Sequence, residues 1–140
     1  MDQAGSATVE LAVLAPVILI ALLFVIGVGR IALAIQAVQW AAVDAARAGS
    51  IARTAEAAAR DGREYGEAAL YNEGLRCVAV DVAVDTSQFD TPVGQRAQVV
   101  ATVTCVVDLG DVSGLTGLPA RFTVTKTATS PVDSYRGREQ

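Results

Sequence analysis

The chain has 140 residues, with 11 Lys and Arg against 15 Asp and Glu, a net charge of −4 and a pI near 4.7. That balance argues against a nucleic-acid partner, which needs a basic patch, and the absence of histidine removes the commonest general base and metal ligand. Hydrophobic residues make up 52% but aromatics only 5%, so the apolar content is mostly Ala and Val, enough for one small domain once a membrane segment is set aside.

The first element is a charge-free run, LAVLAPVILIALLFVIGVG, from Leu11 to Gly29. At about 1.5 Å per residue it is roughly 28 Å long, close to the ~30 Å hydrocarbon core of a bilayer. Helices of soluble proteins rarely stay apolar on every face for that length. The spacing predicts a spanning helix starting near Val9, kinked at Pro16, with Gly27 and Gly29 open to close helix approach or without special role. Leu11, Pro16, Gly29 and Arg30 mark the anchor, and the Arg30 stem lies along apolar surface while its guanidinium reaches the interface. Glu10 sits at the head of the run, where an ionised carboxylate is costly unless partnered. Just before it stands the small pair Gly5-Ser6. A cut between them would put a new amine on Ser6, so that one positive and one negative charge share the head of one apolar helix.

Gly5, Glu10 and the apolar run resemble the processing site of type IV prepilins. The text GSATVELAVLAPVILIALLF followed by GR, with AVQWAAVDAARAGS downstream, is similar to the amino-terminal motif of TadE-like pilus proteins of the tight-adherence (Tad) system. The closing SPVDSYRG is a weaker echo. The resemblance implies cleavage after Gly5 by a membrane aspartyl peptidase. It implies an assembly or register role for Glu10, and a minor pilin rather than the main filament subunit. It further implies other pilin or TadE-like subunits, the prepilin peptidase and the inner-membrane pilus platform as partners, besides the lipid bilayer. The leader Met1 to Gly5 departs from the basic leader of that pattern, having no Lys or Arg. By the positive-inside rule Arg30 and Arg47 draw the carboxyl side inward. The Gly-Glu motif and the cysteine pair outweigh this and place that side outside the cytoplasmic membrane, as a single-pass protein.

From Ile31 the helix continues without a strong breaker. Ile31, Ile35, Val38, Ala42, Ala45, Gly49 and Ala52 recur at spacings of three and four, a continuous stripe. Trp40 reads as an interfacial anchor or as core packed on a later sheet. Glu56/Arg60, Arg60/Glu64 and Arg63/Glu67 are opposite charges four apart that support a solvated helix. Gly49, Gly62 and Gly66 weaken it and place a break between Gly49 and Gly66. Asn72-Glu73-Gly74 is its stop.

Period-two alternation follows. Val78, Val80, Val82 and Val84 share one strand face. Gln98 to Val107 is a second strand and Arg121 to Thr129 a third, at or near an edge. The segments 86–96 and 108–120 are loops. Three strands so joined read as an antiparallel meander that needs the amphipathic helix as its cover. The fold class is α+β, divided as a leader 1–5, a spanning helix 6–30, an amphipathic helix 31–74, a β domain 75–130 and a flexible tail 131–140.

Cys77 and Cys105 make either a disulfide or two buried thiols, the disulfide being the better reading for an oxidising compartment. Cys105 shares a face with Val99, Ala101, Val103 and Val107. Cys77 falls opposite Val78 and Val80 unless it sits in the turn leading into the strand. Two thiols without histidine make no usual zinc site, so neither metal nor cofactor is expected. No catalytic residue is assigned: no nucleophile–base pattern occurs, and Asp81 and Asp85, four apart on one strand face, are far more often solvated surface than an acid–base pair. An uncut, membrane-anchored binding protein is the alternative reading.

Overall fold

The computed structural model describes residues 4–92, 94–108 and 121–133. Five elements follow one another: α1 (Ala4–Ile51), α2 (Ala55–Asn72), β1 (Cys77–Asp85), β2 (Ala97–Asp108) and β3 (Arg121–Val132). The architecture is α+β, with one antiparallel sheet in the order β1-β2-β3. The segment 109–120 and the residues 134–140 of the expected tail lie outside the described residues.

α1 is a single helix of 48 residues that passes through Pro16 and starts at Ala4, ahead of the expected Val9. It ends at Ile51, where Ala52 N–H donates to Gly49 O. Thr54 then caps α2: its extended backbone (φ −123°, ψ 154°) frees the hydroxyl to accept from Ala57 N–H at 3.1 Å. The expected break thus falls at 52–54. α2 closes through two reversed bonds, Leu75 N–H to Leu70 O and Gly74 N–H to Tyr71 O, with Gly74 at φ +70°. That is the Schellman pattern, for which a left-handed glycine is the least strained residue.

Both helices cover the sheet. α1 packs on β2 and β3, and α2 packs on α1 and β1. Val38, Ala41, Ala42 and Ala45 of α1 meet Val82, Val103, Cys105 and Val124 in the main core. A second cluster holds Ala58, Ala97, Val99, Val132 and Phe89, the last reaching in from the loop after β1. The expected stripe on α1 is buried from Val38 to Gly49, while Ile35 remains 37% exposed, because the domain's cover begins only at Ala34. Ala34, Ala37, Ala41, Ala46 and Ala48 are buried as well, since α1 is packed by the sheet on one side and α2 on another.

The three glycines do more than loosen the helices. A Cβ on Gly62 would stand 2.9 Å from Val84 Cγ2 and 3.0 Å from the Ala45 carbonyl oxygen. One on Gly66 would meet Ala45 Cβ and Val82 Cγ1 at 3.2 Å, and one on Gly49 would meet Val99 Cγ1 at 3.0 Å. Their missing side chains let α1, α2 and the sheet close on one another.

β3 runs through Pro131 to Val132 because it is an edge strand, where a missing N–H need not cost a ladder bond. Its end is tied back to α1 by Ser130 Oγ donating to Ser50 Oγ at 2.9 Å. On the outer face, Thr102 and Thr104 bond the hydroxyls of Thr127 and Thr125 at 3.0 and 3.1 Å.

Cys77 and Cys105 are joined, with their Cα atoms 5.5 Å apart. The parity conflict is resolved by a bulge: Cys77 pairs with Val107 but Ala79 with Val106, leaving Val78 as the additional residue. A bulge shifts the alternation by one, so Cys77 takes the face of Val80, Val82 and Val84, the face that also carries the fully buried Cys105, the partner of Val80. The bridge spans 28 positions, a loop whose closure contributes roughly 3 kcal/mol in the chain-entropy account. The double variant Cys77→Ala/Cys105→Ala is expected to melt at least 10 °C lower, given roughly 4–8 °C per kcal/mol for a domain of this size. A thermal melt of unreduced protein measures it, and a shift below 2 °C would contradict the estimate.

Candidate functional site

The amino-terminal half of α1 has no protein around it. From Glu10 to Leu33 no residue is buried, and none of the helix's most apolar stretch is covered. The length and composition of that stretch suit a membrane span. An apolar surface of this extent on a soluble monomer would far exceed the few hundred Å² normally left exposed, and it is consistent with membrane anchoring. Leu11, Pro16, Gly29 and Arg30 all lie on this exposed stretch. Neither Gly27 nor Gly29 has anything within 4 Å of where a Cβ would stand.

Gly5 and Ser6 fall in the first turns of α1, their side chains outside the described residues. Glu10 follows on the same helix and is exposed. Five positions counted inclusively is about one turn, so a Ser6 amine and the Glu10 carboxylate would lie within one turn of each other.

Trp40 is 59% exposed and takes no part in either core cluster, which removes the core reading. It lines a cleft with Arg30 and Arg76 at the junction of α1 with the domain. Sequence spacing had no means of joining Arg30 to Arg76, since they lie 46 positions apart and meet only through the fold.

On α2, Arg60 engages the adjacent Asp61 at 2.9 Å instead of the carboxylates four positions away. Asp81 and Asp85 stand on the outer face of β1, opposite Thr104 and Val100. Four positions along a strand is about 13 Å, beyond the roughly 5–9.5 Å at which paired carboxylates share a reacting bond. Asp85 instead serves its own loop. It accepts from Ser87 N–H at 2.9 Å, and the backbone and side chain of Ser87 hold its carboxyl below the usual value. This fixes the turn out of β1. Among the described residues no group of three or more His, Cys, Asp and Glu is placed to hold a metal ion.

The family model described as TadE-like protein matches residues 5–47, from the Gly5-Ser6 pair to the part of α1 that enters the domain. That stretch is similar to the TadE-like family, as its motifs imply, and the matching family is a structural one of Tad pilus systems. No curated protein and no solved structure was found to match the chain.

Proposed function

We propose that the chain is a minor subunit of a Tad-type pilus. It is inserted in the cytoplasmic membrane with its domain outside the cytoplasm, cut after Gly5 by the prepilin peptidase, and packed through α1 against other pilin or TadE-like subunits on the inner-membrane platform. The observation that carries this reading is the bare half of α1, headed by one carboxylate and continuous with a small disulfide-bonded domain. Such a helix is soluble in the bilayer before assembly and is buried among its neighbours afterwards. The TadE-like match over this same stretch supports it. The disulfide supports an oxidising compartment for the domain.

The test is the amino terminus. Protein from cells carrying the peptidase is expected to begin at Ser6, and Gly5→Val to retain the leader, because a branched side chain replaces the hydrogen at the cleaved position. Intact mass and amino-terminal sequencing read both. Met1 or Asp2 retained on assembled wild-type protein would move the reading to an uncut, membrane-anchored binding protein.

A further inference from the structure

The cleft at the foot of the domain has a volume of about 450 Å³, within the roughly 300–1,000 Å³ typical of small-molecule sites. Arg30, Leu33 and Trp40 line it from α1, and Glu73 and Arg76 from the turn between α2 and β1. Its height along α1 bears on its occupant. The charge-free run ends at Gly29, and the headgroup layer adds roughly 5–8 Å beyond the hydrocarbon, or about four or five helical residues. Arg30 and Leu33 fall in that layer, and the turn carrying Glu73 and Arg76 faces them. Trp40 lines the same cleft from farther out along α1.

The chemistry suits one kind of group. Two guanidinium forks match the oxygens of a phosphate, and exposed Leu33 gives the apolar contact that a glycerol backbone and upper acyl chain need. Glu73 limits the net charge of these lining side chains to one positive, which suits a singly charged phosphodiester carrying a hydroxyl or ammonium donor. The whole chain carries −4, so two arginines lining one cleft stand out against an acidic background. We propose that this cleft binds the headgroup of an anionic phospholipid and so sets the height of the domain above the bilayer. The inference rests on the reading of α1 as a membrane span.

The chain has a single tryptophan, at the cleft itself, which serves as the probe. Full-length protein is reconstituted into phosphatidylcholine vesicles containing a minor fraction of either phosphatidylglycerol or phosphatidylcholine bearing a nitroxide near the top of the acyl chain. Trp40 quenching is expected to favour the phosphatidylglycerol by about fivefold in effective affinity, the scale of one juxtamembrane arginine. Arg30→Gln/Arg76→Gln is expected to abolish the preference, while Arg47→Gln, an exposed arginine outside the cleft, retains it. Equal quenching by both lipids, or equal loss in Arg47→Gln, would overturn the proposal with the span intact. Glycerol 3-phosphate perturbing Trp40 in detergent as strongly as phosphatidylglycerol does would assign the cleft to a free phosphate instead. Removal of the protein from the vesicles by alkaline carbonate would overturn the span itself, and the headgroup site with it.

Discussion

The variant Gly62→Val is expected to lose the folded domain, or to melt at least 10 °C below the parent. The Cβ alone would stand 3.0 Å from the Ala45 carbonyl oxygen and 2.9 Å from Val84 Cγ2. Val84 has some freedom, but Ala45 O belongs to the backbone of α1 in the middle of the main core. Two further methyls leave α2 no course but to move away from α1, opening Ala58, Gly66 and Ala69 together. Overpacking of a core costs about 1–3 kcal/mol where side chains can adjust, and a rigid backbone neighbour puts this site at the upper end or above it. The helix-propensity gain over glycine returns only a few tenths of a kcal/mol. Gly27→Val is the matched control, since nothing lies within 4 Å of Gly27. Thermal melts of the full chains in detergent compare the two. A Gly62→Val domain that melts with the parent would mean that α1 and α2 do not cross at this distance.

Those glycines mark where sequence reasoning stops. As letters in a helical pattern they read as weak points and correctly bracket the break that Thr54 caps, but their close approach to Ala45, Val82, Val84 and Val99 exists only once three elements meet. The same limit explains Phe89, an aromatic in a polar loop whose burial depends on Ala58 and Val132, remote along the chain. It explains Ile31 and Ile35 too: spacing extends the stripe to them, but how far down α1 the domain reaches is decided by the sheet. Where the pattern is local it was sufficient. Alternation in β1 and β2 assigned Val82, Val84, Val99 and Val103 to one face, and Asn72-Glu73-Gly74 stopped α2. The bulge at Val78 lies between these cases: the parity conflict at Cys77 points to an irregularity and to a place for Cys77 in the turn before the strand, whereas Cys77 is the first residue of β1 and Val78 the extra one. At the bare end of α1, the spacing of Gly5, Ser6 and Glu10 lies along one helix and can be read from the letters, while the Arg30–Trp40–Arg76 cleft cannot, because Arg76 comes to Arg30 only through the fold.

Glu10→Gln is expected to insert in the membrane, to be cut after Gly5, and yet to fail in pilus assembly. The substitution preserves size and hydrogen-bonding groups, so neither the helix nor the peptidase's access to Gly5-Ser6 should change. It removes the charge. In the bilayer before assembly, Glu10 is exposed at the head of α1, where water and headgroups can solvate either side chain. In a bundle of such helices the Ser6 amine and residue 10 of one subunit or its neighbour are enclosed together. An amine enclosed without its counter-charge is then unpaired, and removing one partner of a buried pair typically costs about 3–5 kcal/mol. At about 1.4 kcal/mol per tenfold, this lowers incorporation by roughly two to four orders of magnitude. On the proposed reading it also removes the one charge that could align one apolar helix against another, because every residue from Leu11 to Gly29 is uncharged and one turn looks much like the next. Glu10→Asp keeps the charge on a shorter stem and is expected to restore part of the assembly, which separates the loss of charge from the loss of shape. Co-purification of each variant with pilus components, with pilus counts on the same cells, gives the measurement. Wild-type values for Glu10→Gln in both would leave Glu10 as a mere boundary of the anchor.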